Sequence, residues 1–377
     1  MFQAPFEALV PVSVGDIWHV HERGLRMAIF NLGILGGIQN LASPIAGVVI
    51  QYGSYRIAMH AMGGAFVIML LLVIFFMPET VYHRHNVINI DTGSKTVETD
   101  TIEKERTVEH VKDDAIYAPD SSERADPYVK TLMPWSGYWD PVAFWRTFLR
   151  PFAVIMSPVV MWATLPYTVC ISWLILISTT LSQIFSAPPY SFSVSGVGAT
   201  NLSAFVASLL ATLVSGPMID GVAKLMSARN NGTFEPEFRL PAMVTYLLFT
   251  ATGFFAWGQS LHNQDPWPIP VIVCMGLINL GIQMGTTVVV TYVSDCHREQ
   301  AAEAFAMMNF TKNIFAFGLT FYVNDWIAGQ GVRDAFFVVG GTTIAVTLTT
   351  IPMYIYGKRA RSWVKRCGVL DSVRKVK

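Results

Sequence analysis

The sequence has 377 residues, enough for two soluble domains, but charged residues make up only 14% and hydrophobic residues 52%, with a mean hydropathy of +0.43. A soluble globular chain carries about 25% charge, so there is too little here to coat a water-facing surface, and most of the outside must face something other than water. Lys+Arg and Asp+Glu balance at 26 each, which leaves no basic footprint for nucleic acid.

A membrane-spanning helix needs about 20 mostly apolar residues. The first apolar stretch, 1–14, is short. At ~1.5 Å per residue it rises only about 21 Å, against a hydrocarbon core of about 30 Å. It lacks a basic leader region and a small-residue cleavage site, and Glu7 lies inside it, so it reads as half of a span and not as a signal peptide. Eight full stretches follow: 27–51, 57–77, 153–185, 194–219, 240–260, 268–293, 301–327 and 332–356. Their lengths suit helices, and the period-two alternation of barrel strands is absent.

On the helical wheel of 27–51, Gly33, Gly36, Gly37, Asn40, Ser43, Pro44 and Gly47 share one face. Small residues there let two backbones approach closely, and Pro44 can bend the helix. A plain packing seam and a seam that also seals a cavity both fit. The loop 78–150 then divides the chain. Its middle, 90–127, is rich in Asp, Glu, Lys, Ser and Thr and reads as disordered. Residues 141–152 look amphipathic, suited to lie along the inner membrane surface.

Six spans follow that linker. In 153–185, Trp162, Tyr167 and Trp173 either line a cavity or pack against neighbours, and Pro158 and Pro166 are possible kinks. In 268–293, Asn279, Gln283, Thr286 and Thr287 share an arc suited to orienting a polar solute or to hydrogen bonding between helices. In 301–327, Asn309, Lys312, Asn313, Ala316, Thr320 and Asn324 form a polar arc apart from a stripe of Phe310, Ile314, Phe317 and Phe321. A lysine at a helix centre costs ~2.5–3.5 kcal/mol on insertion scales, so Lys312 is expected either to be paired or wet in a cavity, or to snorkel to the inner side.

With 13–26, 78–150, 220–239, 294–300 and the C-terminal tail on one side, that side holds 23 of the 26 Lys+Arg. The positive-inside rule makes it cytoplasmic. The tail weighs most, since Lys358, Arg359, Arg361, Lys365 and Arg366 follow the last span directly. Trp267, Trp326 and Trp363 fall at predicted span ends, as interface anchors. The four cysteines are scattered, with no metal-ligand spacing. No phosphate-binding GxxxxGK[ST], GxSxG or HExxH occurs, so neither an ATP-driven pump nor an enzyme is indicated.

Several segments together resemble the major facilitator superfamily, specifically fungal drug:proton-antiporter-like transporters with twelve spans. They are APFEALVPVSVGDIWHVHERGLRMA (4–28), GILGGIQNLASPIAGVV (33–49), MPETVYHRH (77–85), ARNNGTFEPEFRLP (228–241) and 294–326. The resemblance makes 4–28 the end of span four, the following loop and the start of span five. It makes 33–49 the antiporter motif, with Ser43-Pro44 where the family usually has Gly-Pro. Spans one to three then have no counterpart in this sequence. Asp220, four residues after Gly216, resembles the degenerate second-half copy of the family's inner Gly-x-x-x-Asp motif. It is expected to latch a cytoplasmic gate with Asp295 and Arg298, or to be ordinary interfacial charge. Glu7 becomes a carboxylate near the cavity, positioned to carry a proton or meet a cationic substrate, or a group exposed at a frayed end.

The expected fold is an all-α membrane protein, a major facilitator type helical bundle. It comprises a partial N-terminal half (1–85), a cytoplasmic linker (86–140), an amphipathic helix with a complete six-helix half (141–357) and a basic tail (358–377). The expected function is secondary transport of a small organic solute by alternating access, with proton coupling as the resemblance implies. The competing expectation is a truncated relative that does not transport. Expected partners are the lipid bilayer, a small-molecule substrate and protons, with no cofactor, metal or nucleic acid and no implied oligomeric state. The resemblance points to the plasma membrane or, alternatively, a vacuolar or other internal membrane.

Overall fold

The computed structural model describes residues 7, 10–12, 14, 23–33, 37–76, 144–297 and 300–367. The whole of the linker expected at 86–140 lies outside these residues, as does Arg298. The chain forms two compact units, residues 1–58 with 142–377, and residues 59–141.

In the second unit the described residues belong to helix α3, Tyr55–Phe76, which starts in the first unit. It is apolar, and its described side chains from Met59 onward are exposed. The first unit holds α1 (Arg23–Asn31), α2 (Gly37–Tyr52), α4 (Phe144–Val154), α5 (Pro158–Ser186) and α6 (Val194–Arg229). A 3-10 segment (Pro236–Ala242) leads into α7 (Met243–His262), and a π-helical turn (Ile269–Cys274) leads into α8 (Met275–Cys296). Then come α9 (Ala301–Gln330), α10 (Val332–Leu348) and α11 (Thr350–Cys367).

Local chemistry sets several boundaries. α5 opens with Pro158 in its first turn, where a missing N–H costs nothing. α6 opens on Ser193, whose Oγ accepts from the Gly196 N–H at 3.3 Å. The chain leaves α6 through Asn231 and Gly232, both at positive φ (53° and 79°). Gly331, at φ 86°, reverses it between α9 and α10, a conformation that side chains rarely adopt.

Six helical stretches among the described residues are long and apolar enough to cross a membrane. They fall on six of the eight predicted spans. The other two differ for separate reasons. The 27–51 stretch is described as two helices, α1 and α2, each shorter than a span. α9 has 30 residues, long enough to cross, but its Asn, Lys and Thr side chains lower its hydropathy. A further difference concerns α6. It does not end at 219 but runs on to Arg229, 36 residues in all. That is about 54 Å of helix against a core of about 30 Å, so Asp220 sits within a helix that projects past the membrane.

Lipid supplies no hydrophobic drive for helix association, so close approach and interhelical hydrogen bonds must hold the bundle. α2 lies along α6, where a Cβ at Gly198 would fall 2.8 Å from the Ser43 carbonyl oxygen. α7 packs on α8 with similar intimacy, since a Cβ at Gly281 would lie 2.2 Å from Thr250 Oγ1. Trp173 Nε1 on α5 donates to Thr343 Oγ1 on α10 at 3.0 Å. Around it, the buried rings of Trp173, Phe254, Phe336, Trp257 and Phe185 meet in series, Phe254 and Phe336 stacked and the other pairs edge-on.

Candidate functional site

Two groups of polar side chains stand out, one near mid-depth and one at the inner ends of the helices. Lys312 lies 11 residues into α9, about 17 Å from its start and so about half-way through a core of about 30 Å. Its Nζ contacts Glu7 Oε2 at 2.6 Å, and the two side chains are 5% and 19% exposed. The ammonium also sits 6.0 Å from the centre of the Tyr167 ring. Tyr167 donates its hydroxyl to Asn309 Oδ1 at 3.1 Å. Asn309 Nδ2 is buried with no partner among the described residues. Glu7, Lys312, Tyr167 and Asn309 thus form one connected cluster spanning the N-terminal segment, α5 and α9.

The rest of the predicted polar set divides. α9 packs on α5 along a stripe through Phe305, Met308, Lys312 and Ala316, which buries Asn309 and Lys312 at one edge of the polar arc. Asn313, Thr320 and Asn324 fall beyond that edge and are exposed. The arc is therefore part buried and part exposed. On α8, Gln283 Nε2 donates to the Ala28 carbonyl and to Thr212 Oγ1, both at 3.2 Å. Asn31 Nδ2 on α1 donates to Thr287 Oγ1 at 3.0 Å. Asn279 donates to Met275 O within its own helix at 2.9 Å. These groups tie α8 to α1 and α6 or bond locally. Trp162 stands four residues into α5, near its inner end and apart from the Glu7 cluster. Its Nε1 donates to Thr349 Oγ1 at 3.0 Å and its ring meets Tyr292 edge-on.

The small-residue face is realised over part of its length. Ser43, Pro44 and Gly47 lie against α6, and Asn201 Nδ2 donates to Ser43 Oγ at 3.0 Å. Among the described residues, Gly33 has nothing within 4 Å of an added Cβ. Gly37 begins α2.

At the inner end, Asp220 accepts the Gly24 N–H at 3.2 Å and the Leu25 N–H at 3.3 Å. These are first-turn donors of α1, which have no partner inside their own helix and carry the positive end of its dipole. A Cβ at Gly216 would lie 2.5 Å from Leu25 Cα, and one at Gly24 would lie 2.5 Å from Asp220 Oδ1. The Gly216-x-x-x-Asp220 spacing therefore has a geometric basis: the glycine seats the first turn of α1 and the aspartate, one turn on, receives its N–H groups. Asp220 also accepts from Arg239 Nη1 at 2.8 Å, and Arg239 Nε reaches Asp295 Oδ2 at 2.7 Å. Arg239, 1% exposed, links the two carboxylates.

Arg239 was not among the predicted site residues, although its segment carried part of the family resemblance. The available signal was a lone arginine between two prolines, Pro236 and Pro241, at the mouth of an apolar span. Just beyond the α8 span, burial pushes the His297 imidazole down to about 4, with Arg361 adding to the effect. Its Nε2 lies 3.0 Å from Ser157 Oγ.

A bundle of membrane-length helices, with a carboxylate on a helix N-terminus at one end and an ion pair buried between helices, is the build of a multi-pass membrane protein. The profile of the Major Facilitator Superfamily matches residues 1–320. The chain belongs to that superfamily. It is similar to Protein HOL1 of Saccharomyces cerevisiae, 26% identical across 50% of this chain and 32% of that protein. An uncharacterized MFS-type transporter of Schizosaccharomyces pombe is 23% identical across 97% of this chain and 67% of its own length. The efflux pump vrtL of Penicillium aethiopicum is 23% identical across 85% and 58% respectively. The chain thus spans between about a third and two thirds of the length of these relatives. No solved structure is significantly similar to it.

Proposed function

We propose that the chain forms the working part of a secondary transporter that moves a small organic solute by alternating access, with proton coupling at Glu7. The observation that carries this reading is the Glu7–Lys312 contact of 2.6 Å at mid-depth. Ionisable groups are costly at that depth and mark solute and proton pathways in membrane helices. A proton on Glu7 removes the charge that holds Lys312, and reionisation restores it. One carboxylate thereby links proton uptake to rearrangement of the cluster it shares with Tyr167 and Asn309. Asp220, Arg239 and Asp295 close the inner end when α1 docks on α6. The efflux-pump name of one relative favours extrusion of the solute.

The test is solute flux in vesicles with and without an imposed proton gradient. Glu7→Gln is expected to abolish gradient-driven accumulation while preserving solute exchange at equal pH, because the neutral side chain mimics one protonation state only. Equal losses in both assays would remove Glu7 from coupling. A chain without flux in either assay would instead support the reading of a non-transporting relative.

A further inference from the structure

The C-terminal helix reaches the inner latch through contacts of its own. Arg361 on α11 donates from Nε to Glu237 Oε1 at 2.9 Å and from Nη2 to Oε2 at 2.7 Å, a two-pronged pairing that fixes both position and angle. Glu237 is 3% exposed. It precedes Arg239 by two residues in the same 3-10 segment, so the placement of one constrains the other. Room for this arrangement comes from Gly357, one turn before Arg361. A Cβ there would lie 2.8 Å from Glu237 Oε1 and 3.2 Å from the Tyr292 hydroxyl. Tyr292 in turn lies three residues before Asp295 on α8. Around one short segment, Arg239 therefore faces the carboxylates of α6 and α8, while Glu237 faces the guanidinium of α11.

We propose that Glu237 and Arg361 are a positioning pair for the latch. α11 holds the 3-10 segment in the register from which Arg239 reaches Asp220 and Asp295, and so favours the state closed at the inner end. This inference rests on reading the Asp220 cluster as the inner gate. The neighbouring Lys358–Glu235 pair provides a contrast: Lys358 is largely exposed, and exposed pairs contribute little.

The experiment follows the reactivity of two buried reporters in the full chain, with native cysteines replaced by serine. Ser215→Cys lies next to Gly216, five residues before Asp220 on α6, and Ser260→Cys lies near the far end of α7; the parent serines are 0% and 4% exposed. Labelling by a water-soluble maleimide is timed in membrane fragments open on both faces. Glu237→Gln is expected to speed labelling at Ser215→Cys about tenfold, the scale of losing a charge-assisted hydrogen bond, and to leave Ser260→Cys unchanged. Gly357→Ala, which keeps both charges but crowds Glu237, is expected to do the same and decides the matter if Glu237→Gln does not fold. Lys358→Gln should leave both rates at the parent value. Faster labelling at both reporters would mean general loosening and would overturn the proposal. So would parent rates in Glu237→Gln and Gly357→Ala alongside faster labelling in Asp220→Asn. Parent rates in Asp220→Asn as well would instead overturn the gate reading on which the proposal rests.

Discussion

Lys312 is tolerable at mid-depth because Glu7 meets it at 2.6 Å. Breaking a buried pair leaves one uncompensated charge, at a cost of about 3–5 kcal/mol, whereas removing both charges is often close to neutral. Glu7→Gln and Lys312→Met are each expected to lower the thermal unfolding midpoint in detergent, and the double variant to recover most of the loss. Strictly additive losses would show that the two groups do not interact. At the cytoplasmic edge, His297 is held at about 4 by burial and by Arg361. Its folded value lies below the ordinary ~6.5, so the unfolded chain binds more protons and stability falls as pH drops from about 6.5 towards 4. His297→Gln should remove that component, at most roughly 3 kcal/mol. Unfolding midpoints measured at pH 4.5 and pH 7 should therefore differ less in the variant than in the parent.

Among the elements, the α2–α6 seam shows how far a wheel pattern can be read. The run of Gly and Ser on one face of 27–51 announced a close approach, and the structure supplies one at Ser43, Pro44 and Gly47. It could not say where the approach ends, because that depends on the partner's own small residue, Gly198, more than 150 positions away. A side chain at Gly198 would press on the α2 backbone, so Gly198→Leu should destabilise by about 1–3 kcal/mol. Gly33→Ala, with no described atom within 4 Å of the added Cβ, should be near neutral or slightly favourable through helix propensity. Comparing the two midpoints in detergent maps the extent of the seam, and equal effects would show that it continues to Gly33. On α9 the same limit appears as a small rotation. The polar arc was visible in the sequence, but which edge is buried was set by packing on α5, and this separates Asn313 from Asn309 and Lys312.

For the whole molecule, 23 of 26 basic residues fall on one side of the predicted spans, and the positive-inside rule predicts that side to be cytoplasmic. A reporter fused after Lys377 is expected to stay cytoplasmic, and one placed within 261–267 to be external. Protease protection in intact cells and in inverted vesicles checks both positions, and accessibility of the Lys377 fusion from outside would reverse the topology. In the structure, Asp220, Arg239 and Asp295 gather where α6, the 3-10 segment and α8 meet. This is the side to which the charge asymmetry assigns the cytoplasm.

What the sequence determined alone follows from local physics. Hydropathy, span length, helical periodicity and loop charge act within a few turns of chain, and they were enough for the membrane class and most of the spans, while the superfamily came from the resemblance of several segments taken together. Periodicity singled out Lys312, and the resemblance singled out Glu7, Asp220 and Asp295, one at a time. The tertiary structure decided which of these groups meet. Lys312 and Glu7 are 305 positions apart, and Asp220 and Gly24 are 196 apart. Arg239 and Arg361 found their carboxylates only through the stacking of helices. Inside lipid a polar group must find a partner within the protein, and helix packing, which no local period encodes, determines which one it finds.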